Sequence, residues 1–272
     1  MAAKSYAVGF IGSGNMAGAL IKGIVDAGLY PPEQIICSDV DAKKLATLRR
    51  RYGIATTRSN LEAGAAKVVV LAVKPQILDA VLAELRPTVN ARRLFVSIAA
   101  GATTQRLEKN LGGEARVLRV MSNTPALLGR GMSVLVRGRH ATAADERVGL
   151  RLLRAVGKAI AVAQEKLLDP VTGLSGSGPA YVYRFAEGLI AGGVAAGLPV
   201  DVARTLAFET IAGAAAMLLD AGESPETLRE RVTSPGGTTL AGLNELERRG
   251  FKDAVAAAIV AATKRSVELG KG

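Results

Sequence analysis

Val8-Gly9-Phe10-Ile11-Gly12-Ser13-Gly14-Asn15-Met16-Ala17 decides how the rest of the chain is read. Its first four residues are an apolar, strand-like run, and the next six have the spacing G-x-G-x-x-A. Leu20, Ile21, Ile24 and Val25 then recur at helical intervals, so the glycines sit at a strand-to-helix turn. Gly12 permits the tight turn, Gly14 lets the backbone approach a pyrophosphate, and Ala17 lets the helix lie close to the strand. The unpaired amides of the helix start attract the anion. A glycine-rich turn that merely packs tightly is the bland alternative, and the position at the first strand of an alternating pattern favours a dinucleotide site.

Outward from this turn, strand-like runs at 7–11, 34–37, 67–73, 94–98, 117–120, 132–136 and 159–163 alternate with helical patterns. Val68-Val69-Val70-Leu71-Ala72-Val73 has no polar alternation, as expected of a central strand covered on both faces. Past residue 164 the strand-like runs give way to Ala-, Gly- and Leu-rich segments with helical spacing at 179–196, 200–221, 237–249 and 251–269. Phe208, Ile211, Ala212, Ala215 and Leu219 form one apolar stripe that calls for a partner subunit. The expectation is an α/β protein: an N-terminal Rossmann-type doubly wound sheet over 1–164, wound in βαβ units, then an all-helical dimerisation domain over 165–272.

Composition narrows the function. The chain has 272 residues, 49% of them hydrophobic but only 4% aromatic, so its core is built from aliphatic side chains. One cysteine, Cys37, excludes an internal disulfide and points to the cytoplasm, and the single histidine, His140, excludes a His/Cys metal cluster. The longest strongly apolar stretch, 68–73, is far shorter than the roughly 20 residues that cross a bilayer, and residues 1–10 lack a cleavable leader pattern. A formal charge of +11 suits an acidic partner, whether nucleic acid, membrane surface or phosphorylated small molecule. Arg49-Arg50-Arg51 would fit nucleic acid, but the ten Phe and Tyr are scattered without the interleaving that stacking on bases requires.

The candidate site residues lie where strands end. Asp39, 22 positions past Ala17, is placed to accept from the adenine-side ribose or to cap the following helix. It would repel a 2′-phosphate, whereas Lys43, Lys44 and Arg49-Arg50-Arg51 would attract one, leaving NADPH and NADH both open. Ala72-Val73-Lys74-Pro75 and Ser97-Ile98-Ala99-Ala100-Gly101 end two strands and leave room for a nicotinamide ring. Leu174-Ser175-Gly176-Ser177-Gly178-Pro179-Ala180-Tyr181 and Ser234-Pro235-Gly236-Gly237-Thr238-Thr239 each open a helix, and the second offers consecutive amides and hydroxyls to a small carboxylate. An ordinary helix cap explains the second loop as well.

Taken in order, these segments, together with Asn123-Thr124-Pro125, resemble the pyrroline-5-carboxylate reductase family over nearly the whole chain. The resemblance implies NAD(P)H-dependent reduction of 1-pyrroline-5-carboxylate to L-proline, the last step of proline biosynthesis, in a cytoplasmic homodimer or larger homo-oligomer. It implies NADPH as first cofactor with NADH possible, and no metal. By matching position, Gly12, Ser13, Gly14, Asn15 and Met16 hold the pyrophosphate, Asp39 and Asn60 lie by the adenosine, and Ala72, Val73, Lys74, Pro75, Ala99, Ala100 and Gly101 line the cofactor. Ser234, Pro235, Gly236, Gly237 and Thr238 bind the substrate carboxylate, while the Thr239 hydroxyl stands near the imine nitrogen as the catalytic residue. The chain departs from the family at Ser122, where many members carry proline. A β-hydroxyacid dehydrogenase is the rival of the same class; its catalytic lysine has only Lys166 as a counterpart, without the accompanying pattern.

Overall fold

A computed structural model describes residues 5–270, so residues 1–4 of the leader reading lie outside the described residues. The chain forms two compact units, one running to Gly176 and resuming from Ala261, the other spanning Ser177–Val260.

The first unit is built on an eight-stranded sheet. Its strands are β1 (Val8–Ile11), β2 (Ile35–Ser38), β3 (Ala55–Thr57), β4 (Val68–Leu71), β5 (Leu94–Ser97), β6 (Arg116–Ser122), β7 (Gly131–Arg137) and β8 (Gly157–Ala161), in the order β3-β2-β1-β4-β5-β6-β7-β8. The order reverses between β1 and β4, which places a ligand crevice at the carboxyl ends of those strands. Alternation divides the core: Val8, Phe10, Val68 and Val70 pack on one face, Ile11, Val69 and Leu71 on the other. The first face is covered by α1 (Asn15–Asp26), α2 (Ala42–Tyr52) and, later in the chain, Leu152 and Leu153; the second by α3 (Asn60–Gly64), α4 (Pro75–Leu85) and α5 (Thr104–Leu111).

The winding departs from the sequence expectation at β6 and β7, which pair antiparallel. Only one short 3₁₀ turn, Thr124–Leu128, separates them, too little chain for a parallel crossover. The sequence pattern also missed β3, a half-buried strand of three residues at the sheet edge. After β7 come α6 (Ala143–Arg154) and the single-turn α7 (Leu168–Val171).

The second unit contains α8 (Gly178–Ala195), α9 (Val200–Asp220), α10 (Pro225–Arg231), α11 (Thr238–Arg248) and the start of α12 (Phe251–Gly270). Helix α10 was not anticipated because its sequence, Pro-Glu-Thr-Leu-Arg-Glu-Arg, has no apolar period; Ser224 caps it by accepting from the Thr227 amide. Small residues let α8 and α9 approach, with Gly193 against Ala203. Among the described residues the stripe on α9 is left largely uncovered: Phe208 is 52% and Leu219 67% exposed, while Ile211 is half-buried. By length and composition α9 is also apolar enough to cross a membrane, although Asp201, Arg204 and Glu209 interrupt its apolar residues.

Gly9 shows how closely the layers fit. A Cβ there would collide with the Ala63 carbonyl oxygen, because α3 lies directly on β1. Gly9→Ala is expected to destabilise the protein by roughly 2–3 kcal/mol, measured as the shift in urea midpoint at fixed subunit concentration.

Candidate active site

The glycine turn is held at the switch between β1 and β4. Gly12 has φ +98°, a left-handed conformation that favours glycine. A Cβ on it would lie 2.7 Å from the Ala72 carbonyl oxygen and 3.1 Å from Val73 Cγ1. The first and third candidate segments of the sequence are thus packed together. Gly14 is different: a Cβ there meets nothing within 4 Å, so its surroundings are open. It is the N-cap of α1, no side chain caps that helix, and its first turn holds no acidic residue. The helix-start amides are therefore available to an anion, and the donor set fits a dinucleotide's pyrophosphate. Ala17 is fully buried behind this turn, Met16 is half-buried and Asn15 is exposed.

Asp39 is turned toward the glycine loop. Ser13 donates its backbone N–H (2.7 Å) and its hydroxyl (2.6 Å) to Asp39 Oδ2, and the Asp41 amide donates to Oδ1 at 2.9 Å. Burial pushes the Asp39 carboxyl up, but the Ser13 hydroxyl, the Asp41 and Ser13 amides and the Lys44 charge outweigh it and hold the pKa below its ordinary 3.8. The helix-capping alternative for Asp39 is corrected by the structure: Asp41 caps α2, accepting from the Lys43 and Lys44 amides. Beneath the same turn, Cys37 is buried and its thiol contacts the Gly12 carbonyl at 3.6 Å. Burial, assisted by the Asp39 charge, pushes that thiol up to about 12.

Next to the loop, a cleft of about 470 Å³ is lined by Ser13, Gly14 and Asn15 together with Lys22, Lys43, Lys44 and Arg51. The arginine run divides here, since Arg49 and Arg50 border a separate depression with Arg58. Asn60 accepts from the Ser38 hydroxyl and donates to Glu84 Oε2, both at 2.8 Å, which fixes it beside the end of β2. At the carboxyl ends of β4 and β5, Lys74 is exposed at the N-cap of α4 with Pro75 following it, Ala99 is buried, Ala100 is exposed and Gly101 has φ +72°.

The remaining candidates belong to the second unit. Gly236 has φ +69°, the Gly237 amide donates to the Ser234 carbonyl at 3.0 Å, and Gly237 is the N-cap of α11. No side chain caps α11 and its first turn holds no acidic residue. Ser234, Pro235, Gly236 and Thr238 are exposed while Thr239 is half-buried, so the turn offers free amides and hydroxyls of the kind a small carboxylate accepts from.

Strand β6 holds contacts that the sequence did not single out. Arg119 and Met121 on it and Asn123 just past its end alternate: Arg119 pairs with Glu165 at 2.8 Å, Met121 abuts Gly176, and Asn123 donates to the Ser175 carbonyl at 3.2 Å. The alternation was the available signal, but its partners lie more than forty residues away. Ser122, on the opposite face, shares a 2.8 Å hydrogen bond with its cross-strand neighbour Ser133.

A doubly wound sheet with an open glycine turn, followed by Ala-rich helices, defines a nicotinamide-dependent oxidoreductase. Residues 165–269 match the family model for pyrroline-5-carboxylate reductase dimerisation, and residues 7–101 match the one described as NADP oxidoreductase coenzyme F420-dependent. The chain is 44% identical to a pyrroline-5-carboxylate reductase of Glycine max, covering 98% of this chain and 97% of that one. It is 41% identical to the reductase of Methanosarcina acetivorans, over 98% and 99%. Among solved structures, the reductase from Coxiella burnetii superposes with a TM-score of 0.94 at 35% identity, covering 98% of this chain and 99% of that one. The Plasmodium falciparum pyrroline carboxylate reductase, solved with NADP bound, gives 0.86 at 32% identity over 97% and 98%. The chain belongs to the pyrroline-5-carboxylate reductase family.

A depressed carboxyl pKa stabilises the fold above the unfolded-state value and loses that contribution as pH falls through the folded value. The stability advantage of the natural chain over Asp39→Asn is therefore expected to be full at neutral pH and to shrink as the pH drops below 3.8. Urea midpoints of both proteins from neutral to acid pH measure it.

Proposed function

We infer that the chain reduces 1-pyrroline-5-carboxylate to L-proline with NADPH, the last step of proline biosynthesis. The observation that carries this reading is an open, uncapped glycine turn at the β1/β4 switch in a chain that matches reductases of this name along 98% of its length. Gly12, Ser13, Gly14, Asn15 and Met16 form the pyrophosphate turn: the Gly12 amide is engaged by the Ser38 carbonyl and the Ser13 amide by Asp39, so the anion is received on the uncapped amides at the start of α1. Asp39 and Asn60 border the adenosine, and Ala72, Val73, Lys74, Pro75, Ala99, Ala100 and Gly101 border the nicotinamide end. Lys43, Lys44 and Arg51, gathered in one cleft with Ser13, supply the positive charge that a 2′-phosphate requires. With the Asp39 oxygens engaged by Ser13 and Asp41, NADH remains a weaker second cofactor.

When bound, the nicotinamide supplies a hydride to the imine carbon. The chain's own part is to hold the substrate: Ser234, Pro235, Gly236, Gly237 and Thr238 form the turn around its carboxylate, offering the Ser234 and Thr238 hydroxyls and the amides at the start of α11, and Thr239 orients the ring nitrogen through its hydroxyl. That nitrogen collects its proton from water before binding, so no histidine acid is required. Positioning then supplies most of the rate enhancement.

The dimerisation region supports assembly into at least a homodimer, in which a second copy covers the apolar face of α9. Covered in this way, α9 needs no membrane; the scattered aromatics support no specific nucleic acid as partner, and the single buried thiol suits the cytoplasm as its compartment. The family model's start at 165 supports a functional boundary between 1–164 and 165–272.

A spectrophotometric assay with 1-pyrroline-5-carboxylate and each nicotinamide in turn is expected to show faster oxidation of NADPH than of NADH. Thr239→Ala should lower turnover ~10- to 100-fold, a loss of roughly 1.4 to 2.7 kcal/mol, with NADPH affinity unchanged; unchanged turnover removes Thr239 from the mechanism. Phe208→Asp should yield a 28.1 kDa species in sedimentation equilibrium, where the natural chain gives a multiple of that mass.

A further inference from the structure

Thr104, Arg119 and Glu165 lie outside every residue assigned above to cofactor or substrate. Arg119 is only 7% exposed, although it is a charged side chain within β6. A guanidinium so placed needs a partner, and Nη1 donates to Glu165 Oε1 at 2.8 Å. The same carboxylate accepts the Thr104 amide on Oε1 at 2.7 Å and the Thr104 hydroxyl on Oε2 at 2.6 Å. Thr104 is the first residue of α5, so the carboxylate also sits at the positive end of that helix. Burial pushes the Glu165 carboxyl up, but the Thr104 hydroxyl, Arg119 and the Thr104 amide prevail and keep it below its usual range. An ionised carboxylate engaged in this way is a fixed anchor.

The anchor holds the downstream end of the turn from β5 to α5, which carries Ala99, Ala100 and Gly101. Its upstream end is tied by the Ala99 amide to Ser97 Oγ at 3.3 Å. Between these two ties Ala100 is exposed and Gly101 takes a left-handed conformation. Glu165 reaches the turn from 61 positions along the chain and is itself held by Arg119 on the neighbouring strand.

We propose that Glu165 and Arg119 are positioning residues for the reductase reaction, holding the 99–104 turn where it borders the cofactor. The proposal rests on the assignment of Ala99–Gly101 to the nicotinamide end. Without the anchor the turn samples other conformations, and the affinity for cofactor falls with the fraction that remains competent. Substrate binding at the Ser234–Thr239 turn has no part in this network and should be spared.

The test compares Glu165→Gln and the milder Thr104→Ala in two measurements, steady-state kinetics with each substrate varied and amide hydrogen exchange over 99–104. Glu165→Gln is expected to raise the KM for NADPH about tenfold and Thr104→Ala about threefold, with the KM for 1-pyrroline-5-carboxylate unchanged and exchange over 99–104 accelerated in both. Glu165→Asp should restore part of the NADPH affinity. A merely structural role would lower thermal stability and leave the NADPH KM in place, which overturns the proposal. Unchanged exchange over 99–104 also overturns it, by removing the anchor. Faster exchange with an unmoved NADPH KM overturns it differently, by removing that turn from the cofactor site. If Glu165→Gln does not fold, Thr104→Ala decides by the same criteria.

Discussion

The close approach of Gly12 to the Ala72 carbonyl is the constraint on which the first unit depends. The chain must leave β1, turn within a few residues and start α1, while β4 occupies the adjacent position in the sheet. A side chain at residue 12 would face both a disallowed backbone conformation and a carbonyl oxygen 2.7 Å away. With glycine there, the turn lies flat against β4 and the amides of α1 open toward the crevice. The Ser13 bonds to Asp39 then fasten the turn to the end of β2. Three neighbouring strands, β2, β1 and β4, thereby fix one anion-accepting turn, and the affinity for a dinucleotide follows from its rigidity as much as from its charge.

Strand β6 does comparable service at the other side of the crevice. Its antiparallel pairing with β7 lets it run seven residues, longer than the four-residue central strands before it. Beyond Arg119, the last residue opposite β5, the extra length carries Met121 and, just past the strand, Asn123 out to the segment from Glu165 to Gly176, where the dimerisation match begins. Buried Arg119 and half-buried Asn123 at the two ends of that row set register, and the methionine between them fills space.

Much of this was legible in the sequence, for identifiable reasons. The G-x-G-x-x-A spacing and the uninterrupted 68–73 run are local signals, and both mark central elements of the sheet. The long helices followed from apolar spacing alone. What escaped was either short, as with β3 and α10, or dependent on pairing, as with the Glu165 anchor, whose partner is 61 positions away, and the Ser122–Ser133 bond, which needs the antiparallel register of β6 and β7. Asp39 illustrates the middle case. Its position at the end of β2 was evident, but the choice between two neighbouring aspartates for the cap of α2 depends on backbone geometry, and Asp41 takes it.

Cys37 carries one practical consequence. The only sulfhydryl in the molecule is enclosed beneath the glycine turn and stays protonated across the working range, so it is a poor nucleophile toward alkylating reagents. A cysteine introduced on the surface would be the sole reactive handle, allowing a fluorophore or spin label to be attached at one chosen point without first removing a native thiol.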